Sequence, residues 1–135
     1  MVSGKPKSRS GGFTLIELMM VISILLILYS IATPIYKTSI LRARETVLKD
    51  DLFQLRSLIS QYTLDKQKAP QSLEDLISAG YLKSIPKDPF TASTETWTTD
   101  QEDTLLSVDQ QQPGIIDVHS GSNQVSSEGT PYSSW

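Results

Sequence analysis

The 135-residue sequence contains no cysteine and a single histidine, His119. Without cysteine there is no disulfide framework, so a small domain must hold by core packing, by its neighbours or by a metal. Cys/His metal sites and Cys-His or Ser-His catalysis also lack a set of parts. No Gly-rich phosphate loop is present. The adjacent acids Glu102 and Asp103 have no pocket-forming aromatic residues around them to make a general acid/base pair. The lone histidine reads as structural. The sequence is that of a non-enzyme. Cations are missing from its last third: seven acids follow Phe90 (Glu95, Asp100, Glu102, Asp103, Asp109, Asp117, Glu128) with no lysine or arginine. They read either as a solvated face or as a binder of a divalent cation or a basic partner. An acidic surface argues against nucleic acid, which wants clustered Lys and Arg.

One apolar run dominates what is present. At roughly 1.5 Å per residue, Phe13 to Ala32 is long enough to cross a hydrocarbon core of roughly 30 Å. Glu17 is the one charge inside it, and Lys5, Lys7 and Arg9 precede it with no acid among them. That asymmetry holds the N-terminus on the cytoplasmic side and sends the rest of the chain outward. A carboxylate within a membrane span is costly, and a functional partner is its default explanation. Two plainer readings compete. Ser30-Ile31-Ala32 has the small-x-small form of a signal-peptide cleavage site, but the run is longer than a signal core and Glu17 interrupts it. A plain single-span anchor accounts for the span but not for the order Gly12-Phe13-Thr14-Leu15-Ile16-Glu17.

Beyond Pro34 the pattern turns amphipathic. Leu48, Leu52, Leu55, Ile59 and Tyr62 recur at helical spacing, with charged residues over the remaining faces. Glu45 and Lys49 form a favourable pair four residues apart. A helix from Phe13 to Lys66 is about 80 Å long. Ala69-Pro70-Gln71 breaks it. Ser72 then caps a short helix with Asp75 as its capping-box partner, and Gly80 ends it. Strands are predicted over 95–99, 105–109 and 115–120 by the enrichment in Thr, Trp, Val and Ile. Trp135, after a Ser- and Gly-rich tail, is a candidate to pack back on the domain.

The segment Gly12-Phe13-Thr14-Leu15-Ile16-Glu17-Leu18 resembles the leader junction of type IV pilins and type II secretion pseudopilins. The resemblance extends over nearly all of the chain and is closest to the major pseudopilin, the G type. It implies an α+β, type IV pilin-like fold: a long N-terminal helix, half transmembrane and half amphipathic, with a small antiparallel β-sheet packed on it. The implied divisions are a leader (1–12), a transmembrane and assembly half (13–33), an amphipathic half (34–66) and a head (67–135). A prepilin peptidase would cut after Gly12 and methylate Phe13. Loss of three leader cations would take the net charge from −3 to −6. Glu17 would serve assembly, its carboxylate and a neighbour's Phe13 amine neutralising each other and setting register between stems. Pro34 falls where the family's stem bends.

The stretch from Lys68 to Thr91 resembles the major pseudopilin's loop, with Phe90 and Thr91 where Trp and Gly are usual. The missing disulfide also points to that branch. Gly114 to Ser120 resembles the start of the family's calcium loop and implies Asp117, Ser120 and Glu128 as ligands, a set with few carboxylates. The function implied is a structural subunit of a type II secretion pseudopilus that drives protein export. Its partners would be copies of itself in a helical homopolymer, minor pseudopilins, prepilin peptidase, the inner-membrane assembly platform and membrane lipid. It would cross the bacterial inner membrane once, N-terminus cytoplasmic and head periplasmic, before joining the pseudopilus. A type IV pilin for adhesion, motility or DNA uptake is the alternative. A monomeric anchored binding domain is a third reading.

Overall fold

The computed structural model describes residues 11–102 and 113–135. In chain order it contains α1 (Leu15–Lys66), α2 (Leu73–Ser78), β1 (Thr98–Gln101), β2 (Ile115–His119) and a short 3-10 turn at Tyr132–Ser134. The chain divides into two compact units, Met1–Thr38 and Ser39–Trp135.

In the first unit, the part of α1 from Leu15 to Ile31 carries exposed apolar side chains on every side. A helix apolar all round belongs in a core or in lipid. Pro34 lies inside α1 and does not end it.

The second unit is organised by the predicted stripe. Leu48, Leu52, Leu55, Ile59 and Tyr62 are all buried, because spacings of four and three residues return them to one helix face. They share a core with Leu73, Leu76, Trp97, Ile115, Val118 and Tyr132. The helix stops where Gln67 takes a left-handed φ of 55° and its side-chain amide donates to the Leu64 carbonyl at 2.7 Å. Pro70, buried after the break, accepts the Ile115 amide at 2.7 Å and so anchors β2. The signals around α2 act as expected. Asp75 Oδ2 accepts the amides of Gln71 and Ser72, and Gly80 supplies a φ of 83° while Tyr81 N bonds back to Leu76 O at 2.9 Å.

The turn that follows is built on Asp88, which is fully buried. Its Oδ1 accepts the Phe90 amide at 2.8 Å and its Oδ2 accepts the Ser120 hydroxyl at 2.5 Å. Trp97 Nε1 donates to Pro86 O at 2.8 Å. β1 and β2 are antiparallel, with Thr98 opposite His119 and Thr99 opposite Val118. The structure corrects the predicted strands in one respect and leaves another outside the described residues. The first strand forms at Thr98–Gln101 and not at 95–99, because Glu95 and Thr96 are held in the preceding turn. Ser93 Oγ accepts the Glu95 amide there, and the hydroxyls of Thr91 and Thr96 are bonded to each other. The expected 105–109 strand lies outside the described residues.

Gly121 follows β2 so close to Thr96 that an added Cβ would strike the Thr96 carbonyl. Gly121→Ala is therefore expected to cost about 1–3 kcal/mol, the scale of overpacking a filled site. Urea unfolding of the full chain in detergent, followed by tryptophan fluorescence, reads the loss. An unchanged midpoint would mean that the two segments separate freely.

Candidate functional site

The start of α1 is set by Thr14. Its carbonyl accepts the Leu18 amide at 3.2 Å and its Oγ1 accepts the Glu17 amide at 3.3 Å, which is N-cap geometry. Thr14-Leu15-Ile16-Glu17 thus has the spacing of a capping box, a signal that the prediction of a helix from Phe13 missed. The helix begins two residues later, and Glu17 falls in its first turn. There the free amides and the helix dipole favour a negative charge. Gly11, Gly12 and Phe13 precede the helix and are exposed, Phe13 by 86%. The junction is therefore accessible, non-helical backbone ending at a capped helix.

Hydroxyls along the apolar part turn inward on their own helix. Ser23 donates to Met19 O, Ser30 to Ile27 O and Thr33 to Tyr29 O, at 2.8–2.9 Å. Such back-bonds satisfy polar groups where neither water nor a neighbour is at hand. α1 is long and apolar enough to cross a membrane, and none of its apolar window is buried within the chain. Glu17 is left as the one charged side chain between Phe13 and Ala32.

The second unit gathers a set of polar contacts that the sequence reading missed. Glu45 was expected on the helix surface, paired with Lys49. It is buried, and it accepts the Ser127 amide at 2.7 Å, the Ser127 hydroxyl at 2.6 Å and the Tyr132 hydroxyl at 2.8 Å. Lys49 Nζ instead reaches Glu128 Oε1 at 2.8 Å and sits 4.5 Å from the centre of the Trp135 ring. Arg56 donates from Nε to Asp117 Oδ1 at 2.5 Å, and from Nη2 to the backbone oxygens of Val118 at 3.0 Å and Trp135 at 2.8 Å. Tyr132 stacks on Phe90 at 3.8 Å, and Trp135 meets Tyr132 edge-on at 5.1 Å, so Trp135 does pack back on the domain. The available signal was a second stripe: Glu45, Lys49, Leu52 and Arg56 repeat at four, three and four, beside the leucine stripe.

Burial pushes the Glu45 carboxyl up, but the Ser127 and Tyr132 hydrogen bonds and the Lys49 charge outweigh it and hold the group below its ordinary value. Asp117 is likewise lowered: burial opposes, and the Val118 amide, Arg56 and His119 prevail. Tyr132 moves the other way, pushed up to about 12 by burial and by its bond to the Glu45 carboxylate.

The three residues implied for calcium are engaged with three different partners. Asp117 faces Arg56, Ser120 donates its hydroxyl to Asp88, and Glu128 faces Lys49. Among the described residues no group of three or more His, Asp or Glu side chains is arranged to hold a metal. Calcium wants six to eight oxygens, several of them charged. With both carboxylates against protein cations, Asp117, Ser120 and Glu128 do not fit a calcium ion.

Comparison with known proteins bears on the start of α1. Residues 7–33 match the family described as the prokaryotic N-terminal methylation motif, a segment that contains Gly12, Phe13 and Glu17. With the long helix and small sheet, that match defines the class: a pilin-like protein. The chain is 32% identical to type II secretion system core protein G of Klebsiella pneumoniae, over 83% of this chain and 84% of that one. Against the core protein G of Pseudomonas aeruginosa it is 33% identical, over 62% of this chain and 70% of the relative. It is also 36% identical to the type IV major fimbrial protein FimA of Dichelobacter nodosus, over 67% of this chain but 55% of FimA. No solved structure matches it. The chain belongs to the family of type II secretion system core protein G.

Proposed function

We propose that this chain is a structural subunit of a type II secretion pseudopilus, without catalytic activity. The observation that carries the reading is the exposed, all-round apolar start of α1 with one acid, Glu17, in its first turn directly after the Gly12–Phe13 junction. Lys5, Lys7 and Arg9 favour a cytoplasmic N-terminus, which puts the head on the far side of the inner membrane. Prepilin peptidase cuts after Gly12 and methylates Phe13. The mature chain, residues 13–33 in the bilayer and 34–66 continuing towards the head of residues 67–135, then enters a helical homopolymer with minor pseudopilins and the assembly platform. Glu17 pairs with the Phe13 amine of a neighbouring subunit, and Pro34 gives the stem a point at which to bend. A missing i→i−4 bond and ring sterics support the last step.

A type IV pilin is the second reading, favoured by the likeness to FimA. Family membership and the absence of cysteine support the pseudopilus instead.

The mass of the mature N-terminus, taken from membranes with and without a prepilin peptidase, tests the shared part of both readings. A peptidase-dependent start at methylated Phe13 is expected. A start at Thr33 would make the head a secreted domain, and an uncut Met1 would make α1 a plain anchor. Either result overturns the filament reading.

A further inference from the structure

The donor set that fails to fit calcium carries its own inference. We propose that Arg56 and Lys49 stand where a divalent cation would otherwise act, closing the 113–135 segment onto α1, so that this head folds and persists without metal.

Arg56 collects the kind of ligands that a hard cation takes. One carboxylate oxygen of Asp117 and the backbone oxygens of Val118 and Trp135 converge on its guanidinium at 2.5–3.0 Å. The ring nitrogen Nδ1 of His119 lies 2.6 Å from the same Trp135 oxygen and ties that residue in a second time. A guanidinium suits this work because it is always charged and presents several donors in a fixed fork. Two helical turns earlier, Lys49 answers the second carboxylate, Glu128, and covers the Trp135 ring. Seven residues separate the two cations, so they share one face of α1. Between them they neutralise both carboxylates of the implied calcium set.

Binding calcium at Asp117 would bring a dication against a guanidinium, or would require Arg56 to leave three acceptors together. Ser120 offers no alternative, because it is fully buried with its hydroxyl spent on Asp88. The charges that meet the two carboxylates of this segment are thus protein cations, in a chain that also lacks a disulfide.

The test is thermal unfolding of the full chain in detergent, read by tryptophan fluorescence in EGTA and in millimolar calcium chloride. The expected result is one midpoint for both conditions. A rise of more than about 4 °C in calcium would overturn the proposal. In EGTA, Arg56→Gln is expected to lower the midpoint by about 4 °C or more, and an unchanged midpoint would also overturn it. The wild-type comparison needs no variant, so it decides the matter even if Arg56→Gln does not fold. Both readouts concern the head alone and stand apart from whether the chain forms filaments.

Discussion

Glu17→Ala is expected to abolish filament assembly while leaving the head folded. The side chain lies in the first turn of α1 and is the one charge in the mainly apolar run from Phe13 to Ala32. On the proposed reading, a methylated Phe13 amine would have no water to solvate it once stems pack in a filament. That reading gives it a carboxylate from the next subunit. Removing one member of a buried ion pair leaves the other uncompensated, at a cost of about 3–5 kcal/mol. At about 1.4 kcal/mol per decade, subunit addition weakens by roughly two to four orders of magnitude. Glu17→Gln should fail nearly as badly, since an amide cannot neutralise the amine, whereas Glu17→Asp should retain part of the assembly. Sheared filaments quantified by immunoblot read the effect, with head tryptophan fluorescence as the control for folding. Wild-type filament yield from Glu17→Ala would sink the pairing and leave stem association to apolar packing. No filament from the wild-type chain would instead favour the tethered-domain reading, in which the stem only anchors the head.

The parts legible in the sequence are those set by local periodicity and punctuation. The leucine stripe from Leu48 to Tyr62 carries its helical spacing on its face, and all five residues are buried as predicted. Asp75 and Gly80 act within a few residues of their own positions, so their roles around α2 could be read directly. The polar contacts of the head could not be read in this way. Glu45 meets Tyr132 across 87 positions and Lys49 meets Glu128 across 79. Nothing local announces such pairs, and the i,i+4 rule pointed Glu45 to Lys49, which adds its charge but makes its direct contact with Glu128. A tertiary acceptor site with three donors outweighs a helix-surface pair that contributes a few tenths of a kcal/mol. The displaced first strand has the same kind of origin. β-propensity favoured 95–99, but the turn on Asp88 and the Trp97 anchor fix the chain until Thr98.

Glu45→Ala is the substitution expected to cost the head most, about 3 kcal/mol. It strands the Tyr132 hydroxyl in the core, removes the acceptor of two Ser127 donors, and opens space beneath a stacked aromatic cluster. Tyr132→Phe keeps the stack on Phe90 and deletes one hydrogen bond, so about 1 kcal/mol is expected. The titration of these groups gives a second signature. The Glu45 and Asp117 carboxyls are held below their ordinary values when folded. Their contribution is therefore fully present above the ordinary values of 4.5 and 3.8, and is lost as pH falls through and below that range. Tyr132 is raised from 10.0 to about 12, so its contribution is present below 10.0 and is lost as pH climbs towards about 12. Urea midpoints of the full chain in detergent should thus fall at both ends of the pH scale. In Glu45→Gln the acid limb should flatten, because one of the two depressed carboxyls is gone. The alkaline limb should flatten too, because without a facing carboxylate the Tyr132 hydroxyl is raised less above 10.0. Identical pH profiles for wild type and Glu45→Gln would mean that Glu45 and Tyr132 are not coupled, and that the 113–135 segment is held by Arg56, Lys49 and apolar packing alone.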